Sequence, residues 1–569
     1  MSRRKTGIIR ELTSLKDILT YSCRKYANMP AFYEKSKATG KYESLTFNEL
    51  YDYTTALGTA LCSELGLKGK KIAVISENRY QWNISFLAVT CGTGVVVPID
   101  RSLLPASDVA ILLTKAQCEA IIFSGSKKEM VEVIAPGLPF VKHLICMDEV
   151  EDMGKTLSFW QLIEKGRALI AEGDRTFIDA EINNKELAIL LFTSGTTAGA
   201  KGVMLSHYNV ASNIHSFSSG VDFREGDVVY SLLPLHHIYE CMMELMFLYL
   251  GASVAVSEGL RFIPDNLEEI KPDILVTVPA FLEKIIKKIL YILDKEGKKE
   301  VADMICHHPE KLTALPSDER EILFAGIRDN FGGKIRLVIS GAAPLNDKSR
   351  EFFQTVGISV LVGYGLTETS PANTLYHNDE FSPVSVGKPI PGVQVKIANP
   401  GVDGNGEICV KGPHVMLGYL DDEEATKQVI DSEGWFATGD MGFIDAEGFL
   451  HINGRKKEML VLPNGKKVFP QDIEPLFSAY PIIKEAIICD MGDQPGKEKV
   501  GALVVIDEAF FADSAKDDKR EIAMIDEIIS EINAKIAKYK KIQGFKIRKE
   551  EFPKTTTSKI KRHLIKWNE

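Results

Sequence analysis

Residues 186–202 have the sequence Glu-Leu-Ala-Ile-Leu-Leu-Phe-Thr-Ser-Gly-Thr-Thr-Ala-Gly-Ala-Lys-Gly. The apolar run from Leu187 to Phe192 has the length and composition of a fully buried strand. The loop that follows holds three threonines, one serine, three glycines and Lys201. Glycines let a backbone turn its N–H groups toward an anion, and hydroxyls and lysine add donors and positive charge. The stretch predicts a phosphate-binding loop, although a flexible surface turn would have a similar composition.

The spacing excludes a Walker A loop, because Ala200 and Gly202 stand where that motif needs glycine and serine or threonine. The loop instead resembles the phosphate loop of the AMP-forming acyl-adenylate (ANL) superfamily. That family includes acyl-CoA synthetases, luciferases and peptide-synthetase adenylation domains, and it usually has glycine at the position of Ala198. The resemblance implies that ATP is held by residues of this loop, with Thr193 as a candidate metal ligand: Thr193, Ser194, Gly195, Thr196, Thr197 and Lys201.

Length and composition limit the classes of protein to which the chain can belong. A chain of 569 residues is too long for one core, so at least two domains are expected. Its 45% hydrophobic and 26% charged residues are ordinary for a globular protein, and the formal charge of −10 argues against binding nucleic acid. The nine cysteines are scattered and form no Cys-x-x-Cys pair, which favours free thiols in a reducing compartment over disulfides or zinc.

Targeting signals are weak. The basic start of the chain lacks the apolar segment of a secretory signal, and the apolar stretch 239–256 carries Glu240 and Glu244. That stretch predicts a buried helix and strand rather than a membrane span. We expect a cytoplasmic protein, and peripheral contact with a membrane surface is compatible with the same sequence.

Strand-like and helical segments alternate through the first part of the chain. Strands are predicted at Lys71–Ser76, Gly94–Pro98, Ala120–Phe123 and His143–Met147, with helical patterns between them. Thr46 and Glu49 have the spacing of a capping box that opens a helix reaching about Leu65. This alternation predicts an α/β fold, in which a large N-terminal domain has parallel or mixed sheets covered by helices.

A strand predicted at Val228–Leu233 ends in Pro-Leu-His-His-Ile-Tyr-Glu. Open α/β sheets bind ligands at such strand ends, and strand alternation predicts that only one of the two histidines faces a site. One buried and one surface histidine is the plain alternative. The segment resembles the next motif of the family, which assigns His237 a place near the substrate carboxylate.

Two further strand ends carry small or unusual residues. The turn after the strand ending at Ser340 has small side chains, at Gly341, Ala342 and Ala343, that let a flat base approach the backbone, although a tight turn would look the same. The segment Val360–Thr369 places an aromatic residue between glycines and then a hydroxyl and a carboxylate. By resemblance, this second segment supplies ATP-site residues, in which tyrosine stacks on adenine, threonine binds the α-phosphate and glutamate holds Mg²⁺: Tyr364, Gly365, Leu366, Thr367 and Glu368.

Short strands punctuated by glycine and proline between residues 387 and 412 predict a β-rich subdomain. By resemblance, Asp440 binds ribose and Arg455 contacts ribose or phosphate. Lys457 is then the hinge between an N-terminal adenylation domain, residues 1–456, and a small mobile α+β domain, residues 457–569.

The C-terminal region is predicted to contain a hairpin at 461–468, strands at 486–489 and 501–506, and a helix with apolar residues from 522 to 539. By resemblance, Gly465 lies near the pantetheine of CoA. Lys559, near the chain end, takes the place of the lysine that promotes adenylation.

The resemblance covers residues 45–562 and is greatest with long-chain fatty acyl-CoA synthetases, because of segments 273–284, 332–345 and the hairpin. It implies a ligase of lipid metabolism. A fatty acid and Mg·ATP give an acyl-adenylate and pyrophosphate, and CoA then gives acyl-CoA and AMP. Lys559, His237 and Glu368 are the implied catalytic residues. An acyl carrier protein as the acceptor, and a non-catalytic nucleotide-binding relative of the same fold, are the alternatives.

Overall fold

The structure is a computed structural model, and it describes most of the chain. The described residues are 11–100, 102, 105–149, 154–193, 199–295, 297–308, 311–312, 316–343, 345–376, 382, 384–492, 498–507, 518–554 and 560–568. Ser194, Gly195, Thr196, Thr197 and Lys559, five of the residues named above, lie outside these ranges.

The strands are short and mostly buried. In chain order they are β1 (Pro30–Lys35), β2 (Tyr42–Thr46), β3 (Lys70–Ile75), β4 (Gly94–Pro98), β5 (Ala120–Phe123), β6 (His143–Cys146), β7 (Leu157–Ser158), β8 (Leu187–Phe192), β9 (Gly202–Ser206), β10 (Val228–Ser231), β11 (Ser253–Val256), β12 (Ile274–Thr277), β13 (Leu337–Ser340), β14 (Ser359–Gly365), β15 (Ala372–Leu375), β16 (Lys388–Pro389), β17 (Gln394–Ala398), β18 (Gly406–Lys411), β19 (Gly418–Tyr419), β20 (Phe436–Ile444), β21 (Leu450–Arg455), β22 (Leu460–Val461), β23 (Lys467–Val468), β24 (Ile483–Asp490), β25 (Val500–Ile506) and β26 (Gly544–Arg548).

The α-helices lie mostly between these strands. They are α1 (Cys23–Lys25), α2 (Phe47–Thr59), α3 (Tyr80–Ala88), α4 (Ala106–Ala116), α5 (Lys128–Ile134), α6 (Phe159–Ala171), α7 (His207–Ser218), α8 (Ile238–Leu250), α9 (Ile263–Ile270), α10 (Pro279–Lys295), α11 (Lys299–His307), α12 (Ser317–Asp329), α13 (Asp347–Thr355), α14 (Glu423–Val429) and α15 (Asp518–Lys535).

Two large sheets form the first part of the molecule. One has the order β16-β15-β14-β13-β12-β10-β11-β1-β2, and its strands from β14 to β1 are parallel. The other has the order β19-β9-β8-β4-β3-β5-β6-β7, and β9 runs antiparallel to both of its neighbours, β8 and β19. Strands buried on both faces need continuous apolar sequence, as in β5, β11 and β12.

The chain divides into two compact units. The first contains residues 1–394 and 410–436, and the second contains residues 395–409 and 437–569. In the second, β17, β18, β20 and β21 form one sheet, and β24, β25 and β26 form another. One face of α15 buries Ile525, Ile528, Ile529 and Ile532 in the core of this unit.

The predicted fold class is confirmed: large parallel and mixed sheets with helices, a β-rich region and a small α+β region. Thr46 caps α2 through the predicted capping box, because its side chain accepts from the Glu49 N–H and the Glu49 carboxylate accepts from the Thr46 N–H. The predicted C-terminal helix is shorter than expected and ends at Lys535.

The eight cysteines whose side chains the structure describes are free thiols, and all but Cys489 are buried. Within the described ranges, the helices are too short or too polar to cross a membrane.

Candidate active site

The base of the predicted phosphate loop is a β-hairpin. Strands β8 and β9 are antiparallel, and Phe192 opposite Gly202 is their last pair. The Thr193 N–H then donates to the Lys201 carbonyl at 3.0 Å. These contacts fix both ends of the loop, so Thr193 and Lys201 lie side by side at its neck. The four loop residues between them that the sequence assigns to ATP lie outside the described ranges.

Tyr419 joins Lys201 to Glu368. The Lys201 Nζ lies 4.3 Å from the centre of the Tyr419 ring, a cation–π distance. The Tyr419 hydroxyl donates to Glu368 Oε1 at 2.9 Å. Strand β19 brings the tyrosine there by pairing with β9, where Tyr419 lies opposite Val203. The Tyr419 ring thus contacts the Lys201 ammonium group, and the Tyr419 hydroxyl contacts the Glu368 carboxylate.

The segment that carries Glu368 turns sharply after β14. Thr367–Thr369 form a short 3-10 helix, and the Glu368 carbonyl accepts from the Met416 N–H at 2.9 Å. A Cβ on Gly365 would overlap the carbonyl oxygen of Pro371, so this strand end needs glycine. Tyr364, the predicted adenine-stacking residue, is 9% exposed at the end of the same strand.

The residues at this position suit Mg²⁺ carried by a nucleotide. Glu368 supplies a hard carboxylate oxygen that the Tyr419 hydroxyl orients. The metal role of Thr193, whose hydroxyl lies 3.5 Å from the Lys201 carbonyl oxygen, stays a prediction. Among the described residues, no group of three or more His, Cys, Asp or Glu side chains could form a metal cage. One carboxylate with phosphate oxygens and water is a usual Mg²⁺ environment, so Glu368 fits that role.

The turn after β13 is backed by a half-buried tyrosine, Tyr239. A Cβ on Gly341 would lie 2.9 Å from the ring of Tyr239, whose hydroxyl donates to the Ile339 carbonyl at 3.2 Å. Ala342 has a positive φ of 66°, which is uncommon for a residue with a side chain. Ala342 and Ala343 are exposed. The turn therefore presents small side chains outward while its inner side is filled by the protein itself.

Both histidines of the 236–237 pair lie in the loop between β10 and α8. Their ring centres are 4.4 Å apart, and His236 Nε2 lies 3.5 Å from Asp100 Oδ2. The strand ends at Ser231, so the alternation expected of strand residues does not apply to the two histidines. That only one of them faces a site stays a prediction. Burial lowers the pKa of His237, and the nearby Asp100 opposes that shift only in part.

Asp440 and Arg455 lie opposite each other on β20 and β21. Asp440 is 4% exposed, and its Oδ1 lies 2.9 Å from Arg455 Nε. The Thr438 hydroxyl accepts from the Asp440 N–H at 3.1 Å. The structure thus pairs the residue that the resemblance assigned to ribose with the one assigned to ribose or phosphate, within the second compact unit.

The remaining predicted residues lie in turns of the second unit. Lys457 is exposed in the turn 456–458 that follows β21. Gly465 has a φ of +77° in the turn between β22 and β23, where its N–H donates to the Leu462 carbonyl. The hairpin predicted at 461–468 is present. The hinge role of Lys457 and the CoA role of Gly465 stay predictions.

Sequence patterns missed Tyr419, Asp100 and Tyr239. Tyr419 is the last residue of β19, Asp100 follows β4, and Tyr239 lies in the first turn of α8. Each contacts a residue far along the chain. Tyr239 follows the two histidines and was open to notice as an aromatic residue at a strand end. Tyr419 and Asp100 gave no comparable local signal.

The comparisons with known proteins agree with these motifs. A family model described as AMP-binding enzyme matches residues 19–420, and one described as AMP-binding enzyme C-terminal domain matches residues 457–566. "Fatty acyl-CoA synthetase B" of Dictyostelium discoideum is 28% identical over an alignment that covers 98% of this chain and 89% of that protein. "Long-chain-fatty-acid--CoA ligase 6" of Mus musculus is 31% identical, with 77% of this chain and 66% of that protein covered.

A solved structure has the same fold. The anthranilate CoA ligase AuaEII in complex with anthranoyl-AMP superposes with a TM-score of 0.77 at 21% identity, covering 97% of this chain and 96% of that one. The first family model alone spans most of the chain, and the resemblance seen in the motifs is confirmed. The chain belongs to the family of AMP-binding enzymes.

Proposed function

We propose that the protein is an AMP-forming fatty acid–CoA ligase for medium- or long-chain acids. The acid attacks the α-phosphate of ATP to give an acyl-adenylate and pyrophosphate, and the CoA thiol then displaces AMP. The substrates follow from relatives named as fatty acyl-CoA synthetases and long-chain fatty acid–CoA ligases, which align with most of this chain.

The observation that carries the nucleotide half is the contact series Lys201–Tyr419–Glu368. Lys201 places positive charge at the neck of the loop, where it can neutralise phosphate. Mg²⁺, when bound with ATP, would neutralise charge that develops on the α-phosphate and on the leaving pyrophosphate. Tyr419 orients Glu368 toward that task. The resemblance adds Lys559 as a further cation aimed at the α-phosphate.

In the second half-reaction, the CoA thiol has to reach the acyl group in the pocket where the acyl-adenylate formed. We propose a hinge at Lys457 between residues 1–456 and 457–569, so that rotation of the C-terminal domain exchanges Lys559 for the surface near Gly465. An exposed turn at Lys457, where the second family match begins, supports this division. One pocket can then serve two chemical steps. Free cysteines fit a reducing, cytoplasmic setting.

The test supplies Mg·ATP, a series of fatty acids of increasing length, and either CoA or an acyl carrier protein. We expect AMP and pyrophosphate, a thioester with CoA, and specificity that rises with chain length, since each buried methylene contributes up to ~0.8 kcal/mol. ADP as the product would overturn the proposal. A thioester formed only with the carrier protein would select the alternative acceptor, and absence of nucleotide turnover would indicate a non-catalytic relative.

A further inference from the structure

Two buried glutamates lie one turn apart on α8, which begins immediately after His237. Glu240 is 0% exposed and Glu244 is 1% exposed. Isolated carboxylates are costly in a protein interior, and they persist only when they are paired, hydrogen-bonded or neutral. The proposed reaction gives neither residue a task.

Both carboxyl groups contact the same hydroxyl. Ser231, the last residue of β10, places its Oγ 2.6 Å from Glu240 Oε1 and 2.5 Å from Glu244 Oε1. A serine hydroxyl has one proton and can donate to only one of the two carboxyls. The other contact needs a proton from the carboxyl itself. At least one of the two glutamates is therefore a neutral acid.

The remaining oxygens indicate which glutamate holds the proton. Glu244 Oε2 accepts from Asn83 Nδ2 at 2.8 Å, so both oxygens of Glu244 face donors, as suits an anion. Glu240 Oε2 has no hydrogen-bond partner in the described part of the chain. A buried oxygen without a donor costs less on a neutral acid than on a carboxylate. The hydrogen bonds therefore run from the Glu240 acid to Ser231, and from Ser231 to Glu244.

The electrostatic surroundings agree with this direction. Burial and the neighbouring Glu244 raise the pKa of Glu240 far above its ordinary value. The Ser231 hydroxyl and the N–H groups of Leu233 and Leu232 oppose that shift, but none of them gives Glu240 Oε2 a hydrogen-bond partner. Burial raises the pKa of Glu244 to about 7, against the hydrogen bonds from Ser231 and Asn83. The other titratable groups that face the pair are Tyr239 and Cys241, and burial raises the pKa of each, so both stay neutral.

We propose that Glu240 is a positioning residue that works as a neutral acid, fastening the first turn of α8 to the end of β10 and thereby fixing the loop that carries His237. This rests on the proposed function, together with the resemblance that places His237 near the substrate carboxylate. Asn78 holds the same loop from outside, because its Nδ2 donates to the Leu233 carbonyl at 2.6 Å and its Oδ1 accepts from the Leu235 N–H.

Neutrality of Glu240 also serves the chemistry of the substrates. The fatty acid and ATP are both anions, and a second buried carboxylate behind the His237 loop would repel them at low dielectric. With Glu240 protonated, the pair carries at most one negative charge, and both oxygens of that carboxylate face donors.

Infrared difference spectra of the substrate-free protein test where the proton resides. At pH 8, where Glu244 is mostly ionised, we expect wild type minus Glu240→Gln to show the C=O band of a buried carboxylic acid. Wild type minus Glu244→Gln, the matched variant one turn along, should lack that band. A band that disappears with Glu244→Gln instead, or no band in either difference, overturns the proposal.

Kinetics test the positioning role. Glu240→Ala should raise the KM for the fatty acid about tenfold, the order expected for losing a buried hydrogen bond. Glutamine is neutral and can donate to Ser231, so Glu240→Gln should keep this KM near the wild-type value. The KM for ATP should change much less in either variant. Glutamine and alanine variants that are equally impaired would show that the negative charge matters, and would overturn the proposal.

These two measurements separate failure of the inference from failure of the proposed function. If the alanine variant does not fold, the glutamine variant and the spectra still decide. If the wild-type protein forms no AMP with any acid, the proposed function fails, while the infrared result still establishes or removes the neutral Glu240.

Discussion

At the scale of single residues, Tyr419 is the side chain that joins Lys201 to Glu368 in the proposed nucleotide site. Its hydroxyl donates to the Glu368 carboxylate, and burial and that carboxylate raise its pKa, so the hydroxyl keeps its proton at neutral pH. Tyr419→Phe removes the bond and leaves the ring. A hydrogen bond to a charged group contributes ~1.5–3 kcal/mol, so we expect adenylation to slow by about 10- to 100-fold.

The measurement is pyrophosphate release over a range of Mg²⁺ concentrations. Tyr42→Phe is the control, since it also removes a hydroxyl bond, from Tyr42 to the Val256 carbonyl at 2.9 Å, at a place without a proposed catalytic role. Equal rates for the two variants would show that Glu368 does not need Tyr419.

Lys559 belongs to the same scale, and its role follows from the resemblance alone. Removing one preorganised charge aimed at developing transition-state charge costs ~3–4 kcal/mol, so Lys559→Ala should slow adenylation by about 10²- to 10³-fold. Thioester formation from pre-made acyl-adenylate should stay near the wild-type rate. Lys561→Ala, two residues along, is the control, and matching behaviour of the two variants would end the assignment.

The buried His414 is expected to make the free energy of unfolding depend on pH. Burial lowers its pKa from 6.5 to about 4, and its Nε2 lies 2.8 Å from Asn373 Oδ1. Between those pH values the unfolded chain binds a proton at this site and the folded chain does not, so its contribution to stability falls as pH falls.

His414→Gln removes that proton uptake. Thermal unfolding midpoints at pH 7, 6 and 5 should therefore fall more steeply for wild type than for the variant. Parallel decreases across this range would contradict a buried neutral histidine.

At the scale of elements, the end of β14 and the turn after it place Tyr364 and Glu368 only if residue 365 lacks a side chain. Gly365→Ala would force a Cβ into the Pro371 carbonyl oxygen. Overpacking of this kind costs ~1–3 kcal/mol, so we expect a lower unfolding midpoint and weaker ATP binding, measured by scanning and titration calorimetry.

Gly326→Ala is the matched control for that change. Gly326 is exposed in α12, and a Cβ there meets nothing within 4 Å. Alanine favours a helix interior by ~0.5–1 kcal/mol over glycine, so this variant should be slightly more stable and should bind ATP normally. Similar losses in both variants would remove the argument about the turn.

At the scale of the whole molecule, the proposed reaction requires motion about Lys457. Proline fixes φ and restricts the preceding residue, so Lys457→Pro should hinder rotation and slow one half-reaction at least about tenfold more than the other. Lys457→Ala removes the side chain and leaves the backbone free, so it should slow both steps little. Each half-reaction is timed separately, and equal slowing of both by proline would contradict alternation.

Local sequence determined the fold class and most elements. Apolar runs such as Leu187–Phe192 and Ala120–Phe123 are strands with those same bounds, because continuous apolar sequence has few other stable positions than a sheet covered on both faces. The capping box at Thr46 is present because it needs only residues three apart. The two histidines follow β10 as predicted, but strand alternation does not order them, because the strand ends at Ser231, earlier than its apolar run.

In the candidate site, too, some features follow from local sequence and others only from the tertiary structure. Motif order in the sequence indicated the family, and named Glu368, Asp440 and Arg455 from neighbours in the chain. Only the tertiary structure showed that Tyr419 joins Lys201 to Glu368, and that Ser231 lies between Glu240 and Glu244. Residues far apart in sequence meet through strand pairing and helix packing, and a proton shared between buried carboxyls depends on distances of a few ångströms, which no local pattern contains.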